Sequence, residues 1–192
     1  KATLPEVADL QGPTGNVHVI GVEPGKIITS RSISAHNSPG VARLSVLERY
    51  GKGSKPANAY VKGFGENFKG AIASSVGHDS HNLIVVGSAP ESMRVALGAL
   101  IESGGGFAVV QDQNVIASLP LAFAGLMTTL SVKEIETRLL KLRQASQSIG
   151  CILPEPFLQL AFLSLPVIPS LKLTDKGLVD VEQFKIIPIR AA

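Results

Sequence analysis

The sequence contains no tryptophan, only one cysteine and few charged side chains. Because Cys151 has no second cysteine to pair with, an intrachain disulfide is excluded, and we expect a reducing compartment such as the cytoplasm. Charged residues make up 17% of the chain and hydrophobic residues 45%, whereas about 25% of a typical globular domain is charged. With so little charge available for a solvated surface, we expect another domain or subunit to cover part of it.

Aromatic side chains are also scarce, at 5% of the chain, and the formal net charge is only +3. The lysines that come closest to a cluster are Lys52, Lys55, Lys62 and Lys69, and they form no basic and aromatic stripe. We therefore expect these lysines to lie on a solvated loop face, and we predict no nucleic-acid partner.

One run without charge, residues 115–132, is long enough to raise the question of a membrane span. Pro120, Gly125 and several hydroxyl side chains divide this run into shorter pieces, which favours buried core and no membrane partner. The chain opens at Lys1 without the charged and apolar regions of a signal peptide. We expect the chain to be a piece of a larger polypeptide.

Strand patterns occupy much of the first half of the chain. Residues 17–22 alternate and end in a turn, and residues 26–29 resume an extended pattern. Residues 31–40 are rich in serine, proline and glycine and predict a loop. Residues 41–50 predict a strand that pairs with 26–30.

Helical patterns lie further along the chain. Pro90 opens a helix that ends at Gly104. Ser131 and Glu134 predict a capping box for a helix over 132–149. The other predicted elements are a hairpin of 107–111 and 115–119, a short buried helix over 157–165 and two strands within 178–189. This mixture predicts an α+β fold with a mixed, mainly antiparallel β-sheet and packed helices.

The most polar stretch of the sequence lies just before the apolar run 83–87, which predicts a buried strand. It contains the five candidate functional residues His78, Asp79, Ser80, His81 and Asn82. A strand fixes the loop beside it while leaving the loop's side chains free to face a ligand. We therefore expect any small polar substrate to contact this loop.

Three interpretations of the loop are open. His78, Asp79 and His81 lie close enough in sequence to approach one metal ion, although a catalytic zinc site normally needs three protein ligands in a defined geometry. In a second interpretation the loop is a substrate-facing lid that hydrogen-bonds the substrate or excludes water. In a third, Asp79, Ser80 and Asn82 satisfy backbone groups of a tight turn, and the loop is purely structural.

The polar loop is also one of several landmarks that occur in order along the chain. They are VIGVEPGKIIT at 19–29, VKGFG at 61–65, GAIASSVGHDSHN at 70–82, IESGGG at 101–106, LPL at 119–121, AGLM at 124–127, LSLPVIP at 163–169 and LKLTDKGL at 171–178. In these segments the chain resembles the C-terminal domain of bacterial adenine deaminases, members of the amidohydrolase superfamily. The resemblance implies a domain over 17–192, preceded by an N-terminal extension or linker over 1–16.

The resemblance implies an enzyme that hydrolyses adenine to hypoxanthine and ammonia with a divalent metal, manganese or iron. It also implies a metal-binding (β/α)-barrel that carries a His-x-His pair. No His-x-His occurs in this sequence, and such a barrel takes about 250 residues. The barrel is therefore expected to be absent from this chain, which should hold no cofactor, no metal ligand and no certain catalytic residue, and should be inactive alone.

In this context His78, Asp79, Ser80, His81 and Asn82 form a candidate substrate-facing loop. The expected partners are the barrel domain of the same polypeptide, adenine as the substrate of the whole enzyme, and further copies in a homo-oligomer. The alternative function, from a different class, is a non-catalytic binding or assembly module that provides an interface only.

Overall fold

The computed structural model describes residues 2–53 and 55–191. These residues form eleven strands and three α-helices, preceded by a short 3-10 helix at Val7–Leu10. The strands are β1 (Asn16–Gly21), β2 (Ser30–Ala35), β3 (Val41–Leu47), β4 (Ala57–Lys62), β5 (Ala71–Ser74), β6 (Leu83–Gly87), β7 (Gly106–Gln111), β8 (Asn114–Pro120), β9 (Leu171–Thr174), β10 (Gly177–Asp180) and β11 (Lys185–Ile187). The helices are α1 (Pro90–Ser103), α2 (Val132–Ser148) and α3 (Pro156–Leu163).

Eight strands form the main sheet, in the order β2-β1-β4-β3-β6-β5-β7-β8, and β11-β10-β9 form a smaller one. Neighbouring strands are antiparallel throughout, except that β1 and β4 are parallel. The β7–β8 hairpin turns at Asp112 and Gln113, whose φ values of 47° and 63° match the twist of the strands they join. The predicted α+β class with a mixed, mainly antiparallel sheet is confirmed.

Helices cover both faces of the main sheet. On one face α1 buries Met93, Leu97 and Leu100, together with Leu10 of the 3-10 helix. On the other face α2, α3 and the small sheet enclose the larger apolar cluster. Cys151 belongs to this second cluster, where burial raises the pKa of its thiol, so the chain uses it as a small buried hydrophobe.

The predicted strand over 26–29 is wrong, and the predicted loop over 31–40 is wrong for residues 31–35, which belong to β2, whereas residues 36–40 form a turn as predicted. The strand begins at Ser30, while Thr29 exchanges backbone hydrogen bonds with Pro169 and Ser170 beside the small sheet. Because β2 is an edge strand with mostly exposed side chains, it needs no apolar face and carries little strand signal.

The strand predicted over 41–50 is confirmed at Val41–Leu47, but its predicted pairing with 26–30 is wrong. β3 pairs with β4 on one side and with β6 on the other. An apolar pattern marks which side chains are buried, and it does not identify the strand that lies alongside.

The interpretation of 115–132 as buried core is largely wrong. Leu119 and Leu121 are buried, but Phe123, Met127 and Val132 are 52%, 64% and 83% exposed. The exposed residues belong to the connection between β8 and α2 and to the first position of α2, where the chain lies at the surface. In the described ranges, no helix has the length and apolar character to cross a bilayer.

The predicted capping box of α2 is confirmed. Ser131 Oγ accepts a hydrogen bond from Glu134 N at 3.4 Å, and Glu134 Oε2 accepts one from Ser131 N at 2.9 Å. The Ser131 hydroxyl, which donates to Glu134 Oε2 at 2.6 Å, and the Ser131 N–H together lower the pKa of the Glu134 carboxyl. The helix begins where the serine side chain can satisfy its first free N–H groups.

Replacing Ser131 by alanine should lower the free energy of unfolding by about 1 kcal/mol, because the N–H of Glu134 in the first turn loses its side-chain partner. Urea unfolding followed by circular dichroism measures the change. Ser148→Ala is the matched control at the other end of α2, where the hydroxyl bonds only Ala145 O, and it should cost less than about 0.5 kcal/mol. Equal costs for the two variants would contradict a capping role.

Candidate functional site

The five predicted site residues lie on one loop that joins β5 to β6, two neighbouring strands of the main sheet. His78, Asp79 and Ser80 are exposed, His81 is half-buried and Asn82 is buried. The structure therefore presents the first three side chains at the surface and turns the last one inward.

The loop reverses direction through left-handed backbone at Asp79 and His81, whose φ values are 72° and 49°. This turn brings the His81 ring back over the loop, where Nδ1 accepts a hydrogen bond from Gly77 N at 3.3 Å. With Nδ1 acting as acceptor, a neutral His81 ring carries its proton on Nε2. The ring therefore offers an N–H donor on the side that faces away from the turn.

Two residues just beyond β3, Arg49 and Tyr50, hold the backbone of the loop. The register that places Leu47 opposite Leu83 brings Arg49 beside His81. Arg49 Nε donates to His81 O at 2.5 Å, and Tyr50 Oη donates to Ser80 O at 2.6 Å. The loop is thus fixed by side chains that lie outside it.

Arg49 also reaches a second loop, residues 121–127, where its guanidinium donates to Ala124 O at 2.7 Å. Ser75 anchors the same loop, since its Oγ donates to Gly125 O at 2.6 Å. A β-carbon added to Gly105 would lie 2.4 Å from Gly125 Cα, so this close packing requires glycine. The two loops therefore form one connected surface.

On its other side the polar loop contacts α3. His78 N donates to Ala161 O at 3.3 Å, and the imidazole of His78 packs on the Phe162 ring with 4.4 Å between ring centroids. This contact holds the His78 ring at the surface beside the C-terminal end of α3.

Several polar side chains of the loop make no hydrogen bond to the described part of the protein. Within residues 2–53 and 55–191, the carboxylate of Asp79 and the hydroxyl of Ser80 make no hydrogen bond to the protein. Asn82 is only 4% exposed, and its Oδ1 has no hydrogen-bond partner there either. This arrangement does not match the structural interpretation, in which these side chains satisfy the turn's own backbone.

The described residues provide no ligand set for the metal interpretation of the loop. Across the described part of the chain, no three histidine, cysteine, aspartate or glutamate side chains come together as a metal site. The loop residues therefore do not fit the divalent metal that the resemblance implies.

Exposed apolar side chains lie on the second loop, on α3 and just beyond α3. Phe123 and Met127, on the second loop, are 52% and 64% exposed. Leu158 on α3 and Val167 just beyond it are 51% and 67% exposed. Exposed apolar groups on neighbouring segments are typical of a surface that another protein segment covers.

The residues that hold the loop were not identified from the sequence. Arg49 and Tyr50 fell within the predicted strand 41–50 and carried no motif of their own. Their position two and three residues beyond Leu47 acquires meaning only through the pairing of β3 with β6. That pairing is a long-range property with no local sequence signal.

The comparisons with known proteins identify one family. Residues 16–185 match the model described as the adenine deaminase C-terminal domain. Curated relatives called adenine deaminase include those of Brucella abortus (strain 2308), 45% identical over 92% of this chain, and Bdellovibrio bacteriovorus, 47% identical over 92%. The relative from Sinorhizobium fredii is 46% identical over 97% of the chain.

These alignments cover 32%, 31% and 35% of the three relatives, so the chain spans about a third of their length. The match includes both loops of the candidate site, the strands that carry them and α3. The landmark segments noted in the sequence lie within the matched range. The chain therefore belongs to the adenine deaminase C-terminal domain family.

Proposed function

We propose that this chain is the C-terminal part of an adenine deaminase and that its polar loop faces the substrate in the whole enzyme. The whole enzyme hydrolyses adenine to hypoxanthine and ammonia, in purine salvage or catabolism. The observation that carries the proposal is the loop's construction, in which outside residues fix the backbone while the polar side chains remain free.

A substrate-facing loop needs this combination, because groups that bind a ligand must be held in place without being occupied by the protein. Arg49 and Tyr50 supply the positioning through two backbone carbonyls. Asp79, Ser80 and His81 supply groups that can meet a ligand at the surface.

The free groups complement the edge of a purine. Adenine presents ring nitrogens that accept hydrogen bonds and N–H groups that donate them. The Asp79 carboxylate accepts from N–H groups, the Ser80 hydroxyl donates or accepts, and His81 Nε2–H donates to a ring nitrogen. In this proposal the loop orients the base and limits its contact with bulk water.

The metal chemistry belongs to the part of the enzyme outside this chain. When bound, manganese or iron supplies an activated water for the attack on the purine. In this proposal the chain alone is inactive, and the barrel domain covers the exposed apolar groups of the second loop and α3. A cytoplasmic location and a homo-oligomer complete the proposal, supported by the buried single cysteine and by the exposed apolar surface.

Replacing His81 by asparagine in the whole enzyme tests the proposed role of the loop. Asparagine keeps an acceptor for Gly77 N and removes the Nε2–H donor. We expect kcat/KM for adenine to fall about tenfold while the melting temperature stays unchanged, because a buried hydrogen bond to the substrate is lost. Steady-state kinetics and thermal unfolding give the two readouts.

His36→Asn is the matched control, since His36 Nδ1 accepts a hydrogen bond from Gly15 N at 3.1 Å in a turn between β2 and β3. This control should leave kcat/KM unchanged. Normal kinetics for His81→Asn, with loss of assembly or stability instead, would favour a non-catalytic assembly module and overturn the proposed role.

A further inference from the structure

β8 leaves an open edge at one end of the main sheet. Val115 and Ile116 are 43% and 42% exposed, and Ser118 is exposed as well. The strand carries no charged residue and contains proline only at its last position, Pro120. Natural proteins usually protect such an edge with charges or cover it, because unpaired backbone groups accept another strand.

The hydrogen bonds of the β7–β8 pair show which backbone groups are free. Leu121 N donates to Gly105 O at 3.1 Å, and in an antiparallel pair bonded and non-bonded residues alternate from there. Leu119, opposite Phe107, is therefore bonded to β7, whereas Ser118, opposite Ala108, is not. The N–H and C=O of Ser118 point to the open side of the sheet.

A basic groove runs beside this edge on the face covered by α2. The groove has a volume of about 860 Å³ between α2 and residues 116–118 of β8. Its charged lining consists of Lys133, Arg138 and Lys141 against Glu134 alone, three positive groups and one negative. None of the ion pairs found in residues 2–53 and 55–191 includes these three cations.

On the opposite face of the same edge lies a smaller groove of about 420 Å³. Its lining is mostly apolar and includes Ala99, Leu100, Val115 and Pro120. A strand added to β8 would point alternate side chains into the two grooves, because successive side chains of a strand face opposite sides.

We infer that the β8 edge binds an extended segment of a partner protein in which acidic and apolar residues alternate. The segment continues the sheet by bonding the free backbone of Ser118. Its acidic side chains face Arg138 and Lys141 under α2, and its apolar side chains enter the groove beside Val115 and Pro120.

The charges favour such a segment over a second copy of this chain. Two copies joined through β8 in antiparallel fashion would bring their α2 helices together across a two-fold axis. The groove-facing Lys133, Arg138 and Lys141 of one copy would then meet those of the other, with Glu134 as the one acidic group lining each groove and none on β8. Like charges at close range oppose this pairing, whereas an acidic strand is attracted.

The test uses a fluorescent peptide of alternating glutamate and valine, seven residues long, titrated with the 192-residue chain. Anisotropy should report a Kd of about 10 µM that weakens at least about tenfold when salt rises from about 0.05 M to about 0.5 M. A peptide of the same composition with the glutamates and valines in separate blocks should bind at least about tenfold more weakly, because it loses the alternation.

Ser118→Pro removes the free N–H without breaking a bond to β7, and it should weaken peptide binding at least about tenfold. Ile33→Pro is the matched control on β2 at the opposite edge of the sheet, and it should leave binding unchanged. Arg138→Glu with Lys141→Glu should abolish binding of the glutamate peptide and permit binding of a lysine–valine peptide, whereas Lys62→Glu should do neither.

Circular dichroism confirms that each variant is folded. Absence of glutamate-peptide binding up to about 1 mM, or equal binding of the block peptide, would overturn the inference. A dimer of the chain that Ser118→Pro dissociates, seen by analytical ultracentrifugation, would identify the second copy as the occupant and would overturn it too.

Discussion

In the whole enzyme that we propose, replacing Arg49 by methionine should lower kcat/KM for adenine about 100-fold. Arg49 is the one side chain seen, in the described ranges, to bond both the polar loop and the second loop, through His81 O and Ala124 O. Methionine preserves much of the side-chain volume and removes both bonds. The loop would then no longer hold Asp79, Ser80 and His81 in one arrangement, and misplacement by about 1 Å is costly for catalysis.

Because Arg49 acts through the loop and need not touch the substrate, its variants should show a graded response. Arg49→Lys keeps the charge but lacks the planar fork that reaches two carbonyls, so we expect partial recovery of kcat/KM. Hydrogen exchange of the loop amides should accelerate in Arg49→Met and should be partly restored in Arg49→Lys.

Arg94→Met provides the matched control for this prediction. Arg94 Nε also donates to a backbone carbonyl, that of Pro5 at 3.0 Å, but it does so on α1. This control should leave kcat/KM unchanged. If Arg49→Met kept normal kinetics while its loop amides exchanged faster, the loop would have no part in substrate binding and the proposed function of the loop would fail.

Local patterns account for much of the fold. The helices α1 and α2 follow from apolar periodicity together with Pro90 and the Ser131 capping box, and the buried strand β6 follows from its continuous apolar run. Each of these signals lies within the element itself, where propensity and burial agree. The α+β class could be predicted because such elements suffice to define it.

The predictions that failed depend on long-range features of the fold, such as which strands lie side by side. β2 is an edge strand of serine, arginine, isoleucine and alanine, and the edge position removes the requirement for an apolar face. The apolar residues of 115–132 look like core, yet Phe123 and Met127 are exposed on the second loop. Composition identified them as apolar, and only the fold shows that they lie exposed on a loop that Arg49 links to the polar loop.

The candidate site likewise contains residues that the sequence identifies and residues that only the fold identifies. His78 to Asn82 stood out because polar residues are concentrated just before a buried strand. Arg49, Tyr50 and Phe162 did not stand out, since their relation to the loop depends on the β3–β6 register and on the docking of α3. Groups that bind a ligand are unusual in composition, whereas groups that position them are ordinary residues in special places.

A second large effect is expected at Lys172 on β9, where methionine should raise the free energy of unfolding by about 2 kcal/mol at pH 7. Lys172 is fully buried, and Nζ donates one hydrogen bond, to Ile27 O at 3.1 Å. Burial lowers the pKa of its ammonium from 10.5 to about 8. No ion pair in the described part of the chain includes this lysine.

The direction of the pH dependence follows from the pKa of Lys172 in the unfolded chain, 10.5, and in the folded chain, about 8. Between pH 8 and pH 10.5 the unfolded chain binds a proton at Lys172 that the folded chain does not, so the wild type gains stability as pH rises through this window. Below pH 8 the folded state carries the full cost of the buried charge, about 3 kcal/mol for a pKa lowered from 10.5 to about 8. Methionine removes this cost but also loses the hydrogen bond to Ile27 O. Because Ile27 lies on an exposed loop, water can donate to this carbonyl instead.

Urea unfolding of Lys172→Met and wild type at pH 7 and at pH 10 measures the effect. The advantage of methionine should be about 2 kcal/mol at pH 7 and should shrink below about 1 kcal/mol at pH 10, because the wild-type lysine no longer carries a charge in the folded state. Lys185→Met, an exposed lysine of the same small sheet, should change stability by less than about 0.5 kcal/mol at both pH values. A methionine variant that is no more stable at pH 7, or whose advantage does not change with pH, would show that the Lys172 ammonium is compensated within the fold.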